Sequence, residues 1–379
     1  MKIALLTTDA REHYREYTRS QPYFGTAPEA LLQGFAQLPD AEIEVVCCVR
    51  QQLPSPLHLA PNIRYHALLV PKLGWMSTGY QGCIRAVRRK LRELQPDIVH
   101  GQGTERDCAI TAVYSGFPNV LTIHGNMRLI AQINAAKPFS YAWLNAHLEA
   151  WTIPRSHGVV CITRYTQDAV RRLARKTWVL PNAVDEQFFS VQRAPVEPPV
   201  ILCVGLVCHR KNQIRLIRAL DTVAAGRSFR LVFVGAVPDD AYGAEFSELL
   251  RTRPWCECAG FTGRDALRRQ LADATLLALP SLEDNCPMVV IEAMAAGVPV
   301  AVAEVGGVPD LVEANRTGVF CHPEDLESIR RAVEFLLNDP VLAGNLAARA
   351  REEARQRFHP RAIAARHLEV YREVLQNAS

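Results

Sequence analysis

Short, nearly unbroken apolar runs recur along the 379-residue chain, separated by stretches with helical spacing. In the first half they fall at 2–7, 43–49, 63–68, 97–101, 120–125, 158–163 and 177–181. In the second half they fall at 200–205, 230–235, 276–281, 299–304 and 318–322. A strand that reads as a continuous apolar run is covered on both faces. Alternation with helices then predicts parallel sheets and an α/β class. The segment VLPNAVDEQFF (179–189) ends the first set, and SVQRAPVEPPV (190–200) follows with three prolines, a semi-rigid connector. Two doubly wound domains are expected, with ligands beyond the carboxyl ends of their strands and a cleft between them.

The stretch LEDNCPMVVIEAMAAGVPVA (282–301) departs from this pattern by placing Asp284 and Glu292 in apolar surroundings. A helix is predicted from about Pro287 to Ala296, with Asp284 or Asn285 as N-cap and Gly297 as its stop. Glu292 would lie about 7–8 Å up the axis from Pro287, its side chain leaning back toward the strand ends. The helix is apolar nearly all round, so its carboxylate needs hydrogen-bond donors. A ligand's hydroxyl pair, neighbouring backbone or an arginine would each serve. In LVCHRKNQIRLIRAL (206–220), Gly205 permits a tight exit from the strand, and Arg210 and Lys211 open the helix that follows. Cations oppose the dipole there. A bound phosphate would remove the conflict; otherwise the two are solvated charges at a frayed turn.

Composition narrows the classes. With 49% hydrophobic and 22% charged residues the chain is ordinary for a globular protein. No apolar run approaches the roughly 18–20 residues that span a bilayer, and the opening MKIALLTTDA reads as a buried strand rather than a signal peptide. Eleven cysteines without a CxxC pair or zinc spacing point to buried thiols in a reducing cytosol, and Cys256 and Cys258 to one strand face. Charge is uneven: residues 1–185 hold 21 Lys and Arg against 14 Asp and Glu, and the remainder 22 against 25. The basic first half suits an anionic acceptor or an anionic membrane surface, or is simply a set of solvated helix faces. Its densest run, RAVRRKLREL (85–94), is an amphipathic helix with Val87, Leu91 and Leu94 inside. No aromatic interleaving or motif supports nucleic-acid binding.

Together these motifs resemble the family-4 retaining glycosyltransferases, which have the GT-B fold of two Rossmann-like domains facing an interdomain cleft. PSLEDNCPMVVIEAMAAGVPVA (280–301) resembles the family's acidic signature, and VGLVCHRKNQ (204–213) its phosphate element. LPNAVDEQFF (180–189) resembles its interdomain segment, and LTIHG (121–125) its Thr-x-His element. EVGGVPDLVEANRTGVF (304–320) resembles its Gly-Gly turn, and FGTAPEALLQGF (24–35), loosely, its glycine-rich loop. The segment 357–375 resembles its last helix, which crosses back to the first domain. The implied domains are 1–185 with the helix 360–379, and 186–359.

The resemblance also implies roles. Glu292 binds the donor's ribose hydroxyls. Asp284 contacts the transferred sugar with an arm one methylene shorter than the family's usual Glu, and Glu283 stands beside it. Lys211 binds the diphosphate; the family's partner arginine is Leu206 here, and Arg210 substitutes for it. His124 faces the sugar from the first domain, and Gly25 approaches the donor phosphate or the acceptor. Gly205, Asn285, Cys286, Met288 and Val289 complete the expected donor contacts. The implied reaction moves a sugar from a nucleotide-diphosphate sugar to an acceptor hydroxyl with retention, in a cytoplasmic protein. The acceptor would be a glycan or a lipid-linked molecule, at the inner membrane face if lipid-linked. No Asp-x-Asp occurs, so neither a metal nor another cofactor is expected. A sugar-nucleotide epimerase and an inert nucleotide- or glycan-binding scaffold are the alternative functions on the same architecture.

Overall fold

Val, Ile and Leu runs favour extended backbone because branched side chains pack well on a pleated surface. In the computed structural model, which describes residues 1–14, 16–133 and 135–378, these runs build two separate sheets. The chain divides into two compact units, residues 1–183 with 359–379, and residues 184–358. The expected break at 185/186 falls two residues earlier. Ser379, the end of the expected last helix, lies outside the described residues.

The first unit contains, in order, β1 (Lys2–Leu6), α1 (Arg11–Tyr14), α2 (Thr26–Ala36), β2 (Glu42–Val49), β3 (His58–Ala60), β4 (Ile63–Leu69) and α3 (Gln81–Leu94). It continues with β5 (Ile98–Gln102), α4 (Asp107–Val113), β6 (Asn119–Ile123), α5 (Met127–Ile133), α6 (Tyr141–Thr152), β7 (Gly158–Cys161), α7 (Arg164–Val170) and β8 (Thr177–Val179). The sheet order is β3-β4-β2-β1-β5-β6-β7-β8, parallel except for the edge pair β3 and β4. Strand β3 had no apolar run to announce it: it is three half-exposed residues paired along one side only. Helix α3 buries Val87 and Leu91 as its spacing predicted, and turns its arginines outward.

The second unit contains β9 (Val200–Val204), α8 (Gln213–Gly226), β10 (Arg230–Val234), α9 (Ala241–Arg251), β11 (Cys256–Cys258), α10 (Arg264–Asp273) and β12 (Leu276–Leu279). It continues with α11 (Met288–Ala296), β13 (Val300–Ala303), β14 (Val319–Cys321), α12 (Leu326–Asn338) and α13 (Pro340–Arg357). Its sheet, β11-β10-β9-β12-β13-β14, is wholly parallel. The order reverses between β9 and β12, the place where an open α/β sheet opens a crevice at its strand ends.

The last helix, α14 (Pro360–Ala378), belongs to the first unit. Ile363, Ala364 and Tyr371 share a core with Phe35 of α2 and with β1 and β2. The two helices come so close that a Cβ on Gly34 would sit 2.1 Å from the Pro360 carbonyl oxygen. Nearby, Arg11 is fully buried and bonds Asp9 at 2.6 Å. Its remaining N–H groups go to the Pro54 carbonyl at 2.9 Å and the Ser55 hydroxyl at 2.7 Å. Tyr65 donates to Asp9 at 2.8 Å. The pair is therefore saturated, the condition under which a buried charge is tolerated. It ties the loop after β1 to the loop after β2. All eleven cysteines are free thiols, and among the described residues no helix is long and apolar enough to cross a membrane.

Candidate functional site

Two groups of polar residues stand at strand ends, one in each unit. In the second unit β9 ends at Val204 and the chain leaves through Gly205 into a short 3-10 turn, His209–Lys211. Asn212 follows in the left-handed region (φ 62°), and α8 begins only at Gln213. Arg210 and Lys211 thus precede the helix rather than forming its first turn. The reason is Asn212, whose buried amide donates to the Pro280 carbonyl at 2.9 Å and the Pro323 carbonyl at 2.8 Å. These bonds pin the turn to the segments that leave β12 and β14.

Lys211 Nζ reaches Asp284 Oδ2 at 2.5 Å, and the Ser281 hydroxyl donates to the same oxygen at 3.1 Å. Arg210 donates to the Glu283 carbonyl oxygen at 3.0 Å and lies 3.5 Å from both the Glu283 and Asp284 carboxylates. The pairing is unequal. Lys211 and Asp284 are almost wholly covered, whereas nearly half of Arg210 faces solvent. Burial pushes the Glu283 carboxyl up and Arg210 pulls it down. The backbone of Asp284 is held in place: Gly307 donates to its carbonyl at 2.9 Å, and a Cβ on Gly306 (φ +54°) would stand 2.0 Å from that oxygen. Glycine is required there by both space and conformation.

The cap expected at Asp284 or Asn285 is a misreading. Pro287 occupies the N-cap position of α11 with no side-chain cap bond, because the Asp284 carboxylate is committed to Lys211. Gly297 ends the helix in the left-handed region as expected (φ 73°). Asn285, Cys286 and Met288 are half-buried at the helix entry, Val289 is buried in the core, and Leu206 is 55% exposed beside the turn.

Glu292 is 3% exposed. Burial pushes its carboxyl up to about 7, with Arg264 pulling it down and Asp185 adding to the rise. Arg264 is already engaged with Asp185 at 3.1 Å. Among the described residues no hydrogen bond is donated to the Glu292 carboxylate. Of the three partners open to it, neighbouring backbone and a direct arginine bond are therefore not used.

In the first unit His124 follows β6 and is partly covered. Its Nε2 lies 2.8 Å from Gln102 Oε1, and the Asn182 side chain also hydrogen-bonds the ring. Burial lowers its basicity, and Glu105 opposes that effect. One carboxylate oxygen of Glu105, on the loop after β5, is buried with no donor. Gly25 is the N-cap residue of α2 (φ 84°), with open space where a Cβ would be. Asn212, Ser281, Gln102 and Glu105 escaped sequence reasoning because each is a polar residue in a loop or at a strand end, with no spacing to mark it.

Among the described residues one group has ligand atoms close enough for a metal: Cys48, Cys83 and Asp107, all buried, within 4.8 Å of one another. It lies in the core between β2, α3 and α4. The Cys48 thiol bonds Asp107, and burial pushes that carboxyl up, so the three read as a hydrogen-bonded core triad.

Both units have the α/β architecture of the GT-B glycosyltransferases. The structure matches sucrose-phosphate synthase from Thermosynechococcus elongatus with a TM-score of 0.78 over 100% of both chains, at 20% identity. It also matches Anabaena HepE in complex with UDP and glucose, with a TM-score of 0.71 over 98% of this chain and 100% of that one, at 18% identity. Residues 31–188 match the family described as Glycosyltransferase Family 4, and residues 184–357 that described as Glycosyl transferases group 1. Between them the two matches run through most of the chain, which belongs to the family-4 glycosyltransferases. The 2-deoxystreptamine glucosyltransferase of Streptomyces kanamyceticus is 26% identical over 347 residues, covering 86% of this chain and 88% of that protein. The alpha-D-kanosaminyltransferase of the same organism is 22% identical, covering 85% and 92%.

Proposed function

We propose that this glycosyltransferase takes a sugar from a nucleotide-diphosphate donor and passes it to an acceptor hydroxyl with retention of configuration, without a metal. The observation that carries the reading is Glu292, a buried carboxylate that receives no hydrogen bond from any of the described residues. A ribose diol offers two hydroxyl donors of the right kind, and meeting a buried acceptor with donors recovers its lost solvation.

The cations take the leaving group. Before donor binds, Lys211 and Arg210 neutralise Asp284 and Glu283. An incoming diphosphate competes for both cations, drawing Lys211 off Asp284. The freed Asp284 carboxylate then turns to hydroxyls of the transferred sugar. The acceptor oxygen bonds the anomeric carbon as the bond from that carbon to the diphosphate oxygen breaks. The acceptor's proton passes to the departing phosphate on the same face. Charge grows on the diphosphate as that bond breaks, so preplaced cations lower the barrier most at this step. In the first unit His124 is the candidate to meet a sugar hydroxyl, and the Glu105 oxygen that receives no donor among the described residues suits a hydroxyl or ammonium of the acceptor.

The names of the two Streptomyces relatives support a sugar donor and a small polar acceptor, and the HepE structure supports a uridine diphosphate donor. A thermal-shift screen of nucleotide sugars, followed by transfer assays with Glu292→Gln and Lys211→Ala, tests the reading. Folded variants that keep full transfer overturn the site. Isomerisation of the donor without acceptor would assign an epimerase instead, and binding without turnover an inert scaffold.

A further inference from the structure

The first unit holds a chain of polar groups, buried up to its last member, that leads to His124. It begins at Tyr371 on α14 and ends at His124. Tyr371 and His100 are both fully buried, and the Tyr371 hydroxyl lies 2.5 Å from His100 Nδ1. His100 Nε2 lies 2.7 Å from the Thr122 hydroxyl. The amide nitrogen of Gln102, itself 6% exposed, lies 3.2 Å from His100 Nε2 and 3.4 Å from Nδ1, and its amide oxygen 2.8 Å from His124 Nε2.

One proton on this chain is fixed by its partner. An amide nitrogen only donates and an amide oxygen only accepts. His100 is held neutral by complete burial, so one of its nitrogens accepts and the other donates. Each of those nitrogens meets a hydroxyl that can donate or accept, so Tyr371 and Thr122 take complementary roles on the ring. At the far end Gln102 Oε1 accepts, so His124 carries its proton on Nε2. The amide oxygen is the acceptor that favours this tautomer.

We propose that Gln102 is the positioning residue of His124, and that Tyr371, at the far end of the chain, sets Gln102 through His100. The proposal rests on the reading of His124 as a group facing the sugar. Its physical content is the tautomer and orientation of one imidazole. A neutral histidine is two different reagents according to which nitrogen holds the proton, and here the Gln102 amide oxygen selects between them. It also gives α14 a task beyond packing: the helix that follows the second unit supplies the group on which the first unit's histidine depends.

Among the described residues, the groups that act on His124 include Glu105 from the loop after β5, His100 from β5, His367 from α14 and Asn182 after β8. Glu105 favours the imidazolium. Burial and the neighbouring histidines oppose it, and His367 is itself pushed down to about 4 by burial. Gln102 adds no charge, so its effect is on which nitrogen is protonated rather than on whether the ring is charged.

Nitrogen NMR of histidine-labelled full-length protein reads this directly and needs no substrate. In the wild type His124 is expected as the Nε2–H form. Gln102→Leu, close in volume but without polar atoms, is expected to give a mixture of tautomers. Gln102→Glu places a carboxylate on the imidazole and is expected to raise its titration midpoint by about one pH unit or more. Tyr371→Phe is expected to disturb both His100 and His124, but to leave His124 unchanged when Gln102 is already Leu. Unaltered His124 signals in Gln102→Leu, or equal effects of Tyr371→Phe on His124 with and without Gln102, overturn the proposal. Should the Tyr371 variant fail to fold, the two Gln102 variants decide alone. Transfer by His124→Ala is a separate measurement: full activity there removes the reading of His124 while leaving the NMR result standing.

Discussion

Replacing Glu292 by Gln keeps the shape of the side chain and removes its ability to ionise. Glu292 titrates near 7 in the folded chain, against an ordinary value of 4.5. The folded protein therefore holds this proton more tightly than the unfolded chain does. Wherever the folded state binds more protons, stability falls as pH rises. The contribution is intact below about 4.5 and is lost progressively until pH passes 7. The distance from 4.5 to about 7, at 1.36 kcal/mol per pH unit, corresponds to about 3 kcal/mol at pH 8. Glutamine mimics the protonated form and carries no such cost. The variant should match the wild type near pH 5 and exceed it by about 3 kcal/mol at pH 8, on the order of 5–10 °C in Tm. Thermal unfolding of both proteins from pH 5 to 8.5, without nucleotide, measures the difference. Nucleotide should reverse the ranking. Ribose hydroxyls donate to the carboxylate, so nucleotide affinity in the wild type should strengthen toward pH 7 and be weak at every pH in the variant. Parallel Tm curves across the whole pH range would refute the reasoning, since they would mean that Glu292 holds its proton no more tightly in the fold than in the unfolded chain.

Lys211→Ala takes from the covered Asp284 its closest cation and leaves it the Ser281 hydroxyl and the half-exposed Arg210, and should cost about 3 kcal/mol in chemical denaturation together with at least about a hundredfold in transfer rate; unchanged stability would show that the pair is not a buried one. Gly34→Ala drives a methyl into the Pro360 carbonyl, and should lower stability by about 2 kcal/mol by forcing α2 and α14 apart; an unchanged Tm would refute that close approach. Transfer measured in a chelator should be unaltered if Arg210 and Lys211 neutralise the diphosphate, and complete loss would assign that task to a metal.

Much of the fold was legible because covered strands leave a local record. A run such as VILCVG can be buried on both faces only in a sheet flanked by helices, and this decides both the strand and its parallel neighbours. Strand β3 and the start of α8 left no such record. The first is an edge strand of three residues without an apolar face. The second was decided by Asn212, whose left-handed backbone is held by carbonyls from segments roughly 70 and 110 residues away.

The candidate site divides in the same way. The sequence alone determined that Glu292 would be buried, because an apolar helix leaves a carboxylate no exposed face, and that two cations would stand after β9. Only the tertiary structure decided what they meet. Asp284 turned from a helix cap into the partner of Lys211, and Gln102 became the link between His100 and His124. A side chain's burial follows from the periodicity of its own element, over a few residues. Its hydrogen-bond partners are chosen by whichever segments the sheet brings beside it, and that choice is made only when the chain is folded.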